Sequence, residues 1–247
     1  IIRKGIIPYI DKNVSCIGYF DGVHLGHQKL INETIKQSNL LNVKASVICF
    51  DPDPIDVITS KKSKHLLSLK DRLNILDSFG IDQVIIIKFD KDLMLNKPES
   101  FIRNYLNKMN IIKLICGFDF SFGYKGLGNY KLLERMFKNE IITIDEYKYY
   151  GKKVSSTRIK DTLSKGNYKL VNSLLGYEYY LYLKVINCSK LKGKWLIEAN
   201  LYDNLCIMPI DGVYGKNIYI ENGNFYIIGN YKLDNGTKML LKFENYE

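Results

Sequence analysis

Histidine is scarce in this chain, with three in 247 residues, and no apolar run is long enough to cross a membrane. No signal-peptide pattern is present, so a cytoplasmic location and no membrane partner are expected. The five cysteines (Cys16, Cys49, Cys116, Cys188, Cys206) form no Cys-x-x-Cys pair. That argues against a disulfide framework or a zinc ribbon, and Cys16, Cys49 and Cys116 sit within or at the ends of apolar runs as reduced, buried residues. The formal charge is +10, yet the densest basic cluster is only Lys61-Lys62-Ser63-Lys64. Charge spread this thinly does not point to nucleic acid as a partner, but it suits small anionic substrates. The chain begins at Ile1, so a few residues are expected to precede it. Its length suits one large domain or two modest ones.

Two of the three histidines fall in one stretch, Cys16-Ile17-Gly18-Tyr19-Phe20-Asp21-Gly22-Val23-His24-Leu25-Gly26-His27. Val14 to Phe20 is an apolar run of the length expected for a strand buried on both faces. Asp21-Gly22 signals a turn. From Gly26 a helix is expected, because Leu30, Ile31, Thr34 and Ile35 recur at helical spacing. A strand, a glycine turn and a helix at the start of an α/β domain set unpaired helix N–H groups at the carboxyl end of a sheet, where they favour a phosphate. His24 and His27, three residues apart, project to one side of the first turn, and Gly26 admits a ligand close to the backbone. A metal is the weaker alternative, since no Cys or carboxylate stands in a ligand pattern beside them.

Further on, runs of strand and helix alternate. Strands are expected over Val43 to Phe50, Val84 to Ile87, Ile111 to Cys116 and Ile141 to Ile144. Helices are expected over Leu69 to Phe79, from Pro98, and over Tyr130 to Phe137. This alternation predicts a doubly wound parallel sheet. Asp51-Pro52-Asp53-Pro54 is expected to stop helix and sheet alike, and His65 reads as an exposed loop residue without a role.

Two more stretches carry chemistry. Gly117-Phe118-Asp119-Phe120-Ser121-Phe122-Gly123-Tyr124-Lys125-Gly126-Leu127-Gly128-Asn129 follows a buried strand and offers flat aromatic surfaces on a tightly folding backbone, suited to a planar ring. Val154-Ser155-Ser156-Thr157-Arg158-Ile159-Lys160 is a capping sequence that gathers hydroxyls, helix N–H groups and two cations, suited to a polyphosphate.

The segment Gly18 to Gln28 resembles the signature of the bacterial FAD synthetases, and His-x-Gly-His marks the wider nucleotidylyltransferase superfamily. The resemblance implies a Rossmann-like nucleotidylyltransferase domain over residues 1–176, followed by a small antiparallel β domain over 177–247. It implies FMN adenylyltransferase activity, with ATP and FMN as substrates, FAD as product and Mg²⁺ as cofactor. His24 and His27 would be catalytic, and Gly18, Phe20, Asp21, Gly22 and Gly26 would bind the nucleotide. Phe118, Asp119, Phe120, Phe122 and Asn129 match the family's flavin-nucleotide region. Ser156, Thr157, Arg158 and Lys160 match its phosphate-binding Ile-Ser-Ser-Thr-x-x-Arg motif, with Lys160 standing where Arg is expected. Lys keeps the charge but loses the planar fork.

From Tyr177 the pattern changes to short alternating strands separated by turns such as Asn222-Gly223 and Asn235-Gly236, as in a small barrel or curled sheet. In the family this position carries a riboflavin kinase domain. Met208-Pro209-Ile210-Asp211-Gly212-Val213-Tyr214 is similar to its Leu-Pro-x-Gly-Val-Tyr turn. Glu198-Ala199-Asn200-Leu201 stands where Pro-Thr-Ala-Asn-Leu is expected, with Glu198 in place of the Thr and Ile197 in place of the Pro, and the preceding glycine-rich segment is reduced to Lys192-Gly193-Lys194. The chain also ends at Glu247, short of the kinase's closing segment. The expectation is a remnant without kinase activity. Alternative readings are a nucleotidylyltransferase with another phosphorylated acceptor, and a non-catalytic flavin- or RNA-binding protein. Oligomeric state has no signature in the sequence.

Overall fold

The computed structural model describes residues 1–2, 6–214 and 216–243. The chain forms two compact units, one of Ile1–Ser63 with Leu69–Lys153 and the other of Lys64–Ser68 with Val154–Glu247.

In the first unit, β1 (Asn13–Ile17) is buried along its whole length. It leads through a tight turn into α1 (Leu25–Leu41) and β2 (Lys44–Asp51). There follow α2 (Pro54–Thr59), α3 (Leu69–Ser78), β3 (Gln83–Lys88), α4 (Lys91–Met94), α5 (Pro98–Asn104) and β4 (Ile111–Gly117). The unit closes with α6 (Tyr130–Met136), β5 (Glu140–Ile144) and a small hairpin of β6 (Lys148–Tyr149) and β7 (Lys152–Lys153). The five long strands are all parallel and lie in the order β3-β2-β1-β4-β5.

The two-residue period of a strand sends alternate side chains to opposite faces. Val14 and Cys16 enter a core with Ile31 of α1 and Leu76 of α3. Ile17 enters a second core with Phe101 and Ile102 of α5 and Leu133 of α6. Helices therefore cover both faces, as the continuous apolar run in β1 requires. The strand order reverses at β1, which has β2 on one side and β4 on the other. In such sheets the crevice beyond the carboxyl ends of the two strands flanking the reversal is the ligand-binding place. Here it brings the turn after β1 beside the loop after β4.

Two local expectations are corrected. Pro54 does not end regular structure but begins α2, with Asp53 as N-cap accepting from the Ile55 N–H; the first helical turn tolerates proline because its N–H would be unpaired anyway. His65 is not an exposed loop residue: its side chain is only 14 % accessible, and it bridges to Cys206 within the second unit.

The second unit contains α7 (Ser156–Leu163), α8 (Tyr168–Leu175), β8 (Tyr179–Leu191), β9 (Lys194–Leu201), β10 (Gly212–Tyr214), β11 (Ile218–Glu221), β12 (Asn224–Gly229) and β13 (Lys238–Phe243). Its six strands form one antiparallel sheet in the order β10-β11-β12-β9-β8-β13. Tyr179, Leu181, Leu183 and Val185 alternate inward along β8. Tyr168 of α8 is buried, stacking on Phe243 and meeting Tyr214 edge-on. Among the described residues, no helix is long and apolar enough to cross a membrane.

Candidate active site

The turn after β1 is built under strain. Gly22 takes φ 77°, which glycine adopts readily, but Phe20 (φ 60°) and Val23 (φ 37°) also lie in the left-handed region. For a β-branched residue such as Val23 this is an outlier, costing on the order of 1–3 kcal/mol. Phe20, Asp21, Gly22 and Val23 are all buried, so surrounding packing holds the conformation. The turn delivers His24 to the N-cap of α1, where its Nδ1 accepts the His27 N–H at 3.3 Å.

The two imidazoles stack, with centroids 3.7 Å apart and planes 14° from parallel. Phe20 packs against His27 at 5.0 Å. His24 is 6 % exposed. His27 is half-buried as a whole residue, but its Nδ1 is enclosed and has no hydrogen-bond partner. Burial pushes His24 down to about 4, opposed by the Asp21 carboxylate and reinforced by Lys153. It holds His27 well below its ordinary value, with His24 and Arg72 adding to the effect. Two imidazolium charges at this separation would repel by about 4 kcal/mol at an effective dielectric of 20. Both rings are therefore neutral near pH 7. Because His24 Nδ1 accepts, the tautomer assigned from that hydrogen bond carries its proton on Nε2.

Beyond β4, the glycine-rich loop folds back on itself. Phe122 and Gly128 exchange backbone hydrogen bonds of 3.1 and 2.8 Å. A Cβ on Gly128 would lie 2.6 Å from the Phe122 ring, and one on Gly123 (φ 72°) 2.7 Å from Pro98 Cα. Phe120 stacks on Phe122, which packs against Phe101. Phe50, Pro54, Phe89, Phe101, Phe120 and Phe122 contribute to the lining of a largely apolar cleft of about 190 Å³.

The other candidate residues take the following places. Phe118 is half exposed, with the Lys153 ammonium 5.7 Å above its ring. Asp119 forms an ion pair with Lys153. Asn129 caps α6, its Oδ1 accepting the Leu132 N–H at 3.1 Å. Gly18 lies just past the end of β1, its N–H donating to Ile48 O at 3.1 Å, and Gly26 is in the first turn of α1. Ser156, Thr157, Arg158 and Lys160 belong to α7 in the second unit. Ser155 is its N-cap, accepting from the Arg158 N–H at 3.3 Å. The Lys160 ammonium donates to Lys64 O at 2.7 Å.

Two cations escaped the sequence reading. Arg72 of α3 is 3 % exposed. Its Nη1 donates to Tyr19 O at 2.6 Å, its guanidinium lies 4.4 Å over the Tyr19 ring, and its buried Nε has no hydrogen-bond partner. A signal was available, because Arg72 and buried Leu76 are an i, i+4 pair on one helix face. Lys153 immediately precedes the Val154 to Lys160 stretch and belongs to no motif of its own. The turn after β1 thus holds two neutral imidazoles, with the Lys153 cation acting on His24 and the Arg72 cation on His27, groups of a kind that suit a polyphosphate.

The FAD synthetase family model matches residues 7–158. A bifunctional riboflavin kinase/FMN adenylyltransferase from Buchnera aphidicola subsp. Schizaphis graminum is 36 % identical over 209 residues, covering 82 % of this chain and 67 % of that protein. The protein of the same description from Bacillus subtilis is 32 % identical over 222 residues, covering 87 % and 70 %. Among solved structures, one described as a macrolide-efflux protein from Streptococcus pneumoniae superposes with a TM-score of 0.82 at 23 % identity, covering 97 % of this chain and 86 % of that one. That likeness supports the fold alone. With more than half its length matched by the family model and with relatives of this similarity, the chain belongs to the FAD synthetase family.

Proposed function

We propose that the protein is an FMN adenylyltransferase: an FMN phosphate oxygen attacks the α-phosphorus of ATP, forming the new P–O bond of FAD, and pyrophosphate departs with the electrons of the broken P–O bond. The stacked, neutral His24–His27 pair at the reversal of the parallel sheet, beside an aromatic cleft, carries this reading. Phosphate is already a nucleophile, so the residues contribute chiefly position and charge stabilisation. His24, with its proton on Nε2, donates a hydrogen bond to phosphate oxygens. His27, stacked on His24 and half-buried, lies against the same phosphates. Arg72 and Lys153 supply positive field. Phe120 and Phe122 with Phe50, Phe89 and Phe101 receive the isoalloxazine ring, and Ser156, Thr157, Arg158 and Lys160 bind the β- and γ-phosphates.

Among the described residues, no group of three metal-ligating side chains gathers at this turn. That fits a Mg²⁺ ion carried in on the triphosphate rather than held in a protein cage. When bound, it supplies neutralisation of the triphosphate charge. The domain division read from the sequence, 1–176 and 177–247, is kept as a functional one: α7 and α8 serve adenylyl transfer, and the antiparallel sheet is a kinase remnant. Glu198 supports that loss. It stands where the resemblance leads to the Thr that serves the nucleotide, and a carboxylate in that place adds negative charge near phosphates.

The test is FAD formation from FMN, ATP and Mg²⁺. Replacing His27→Ala is expected to lower the rate by about 10²–10³, the size of a lost transition-state donor. An inactive wild-type protein, or an unchanged rate in the variant, overturns the reading. The same preparation given riboflavin and ATP is expected to make no FMN, and phosphorylation there would overturn the proposed loss of kinase activity.

A further inference from the structure

His65, Asp203 and Cys206 converge within the second unit, one imidazole nitrogen, one carboxylate oxygen and Sγ all within 4.8 Å of one another. His65 and Asp203 are 138 residues apart in sequence, so the cluster is a product of folding. Its backbone is fixed. The His65 N–H donates to Leu205 O at 2.9 Å, the Ile207 N–H to His65 O at 2.9 Å, and the Cys206 N–H to Asp203 O at 3.1 Å. His65 and Cys206 are thus parallel bridge partners, which turns their side chains to one side. The other carboxylate oxygen of Asp203, Oδ1, accepts the Leu205 N–H at 2.9 Å, which orients Oδ2 toward the imidazole.

We propose that this cluster binds a transition-metal ion, with Zn²⁺ the expected occupant. The separation of His65 Nε2 and Asp203 Oδ2 is 3.3 Å, longer than the ~2.7–2.9 Å of a charge-assisted hydrogen bond. Two ligands held about 2.0–2.1 Å from a tetrahedral zinc lie about 3.3 Å apart. The first two ligands are therefore already spaced as on a tetrahedral edge, and the Cys206 Sγ lies within 4.8 Å of both. A thiolate, an imidazole and a carboxylate form a borderline-soft set that selects Zn²⁺ over Mg²⁺. Cys206 is buried while the other two are half-buried, so the ion has an approach from solvent and a water completes its shell. On binding, the Cys206 thiol gives its proton to solvent, and neutral His65 donates the Nε2 lone pair. The ion would pin the Lys64–Ser68 segment to the turn at Asp203. That segment is bracketed in sequence by the two parts of the first unit.

Titration of the full-length protein with Co²⁺ alone, followed by displacement with Zn²⁺, tests the site. One equivalent is expected to bind, with the intense visible bands of tetrahedral cobalt and a sulfur-to-cobalt charge-transfer band. Zn²⁺ should abolish both and raise the melting temperature. Cys206→Ser is expected to remove the charge-transfer band, and His65→Ala and Asp203→Asn to weaken binding by at least about tenfold. Far-ultraviolet circular dichroism establishes that each variant is folded. Absence of tetrahedral bands in the wild type, or a charge-transfer band that survives Cys206→Ser, overturns the proposal and leaves an ordinary His–Asp hydrogen bond. This outcome is separable from the adenylyltransferase reading, because the spectrum requires no turnover.

Discussion

Both units contain non-glycine residues with positive φ, and the turn after β1 uses them unlike the hairpins of the second unit. In the second unit, Lys192 (φ 47°) and Asn222 (φ 48°) each precede a glycine in a hairpin turn, where the right-handed twist of the strands favours this conformation. In the first unit, Phe20 and Val23 bracket a turn into a helix. No hairpin asks for left-handed angles there, and a β-branched residue resists them. The same unit buries His24 and Arg72 and leaves His27 Nδ1 and Arg72 Nε without hydrogen-bond partners. Departures from local rules of this kind concentrate where a ligand is to be received. The hairpins of the second unit obey the rules, and their conformations serve the sheet alone.

Acidification should separate the two regions most strongly. His24 is held down to about 4 in the folded protein, against about 6.5 when unfolded. Between these values the unfolded chain binds a proton that the folded one does not. Stability therefore falls as pH drops through this window, by about 3 kcal/mol for His24 alone. Melting of the ligand-free protein across pH 7 to 4 should show the loss. His24→Asn, which retains an N-capping oxygen for the His27 N–H, should remove most of this group's share, whereas an unaltered pH dependence would mean that the loss arises elsewhere.

A smaller effect is expected from Gly123→Ala, which meets both a positive φ and the Pro98 backbone at 2.7–2.8 Å. A loss of about 2 kcal/mol in denaturant unfolding, with weaker FMN binding in calorimetry, would tie the loop's fold to the cleft. Unchanged FMN affinity would separate them. The smallest change should come from Gly223→Ala in a second-unit hairpin. Its added methyl meets only the end of Met208 at 3.8 Å and suffers from φ 80° alone. About 1 kcal/mol of stability should go, with the rate of FAD formation intact. An equal loss of activity would erase the contrast between the regions.

Much of the fold was legible because apolar period and turn chemistry agree. The β-α alternation up to Ile144 and the Asn222-Gly223 hairpin between β11 and β12 correspond to observed elements, whereas Asn235-Gly236 is a turn between β12 and β13, strands that do not pair. The pairing of His24 with His27 was legible too, since three-residue spacing on a helix permits little else. Pro54 was misread because proline is a breaker inside a helix but a natural first residue of one. Arg72 was missed because an arginine on a short helix is ordinarily solvated, and only packing against Tyr19 shows otherwise. His65 was dismissed because its partners Asp203 and Cys206 are far away in sequence.

The alternation of the main strands and helices, the positions of the two glycine-bearing turns and the type of chemistry follow from the sequence by itself, because they depend on local spacing and side-chain identity. Burial and long-range proximity do not. Whether His24 is charged, which cation stands near His27, which phenylalanines line the cleft, and whether His65 meets a thiol depend on what lies within a few ångströms in space. Only the tertiary structure decides these, since desolvation and electrostatic interaction act through distance and surroundings rather than through position along the chain.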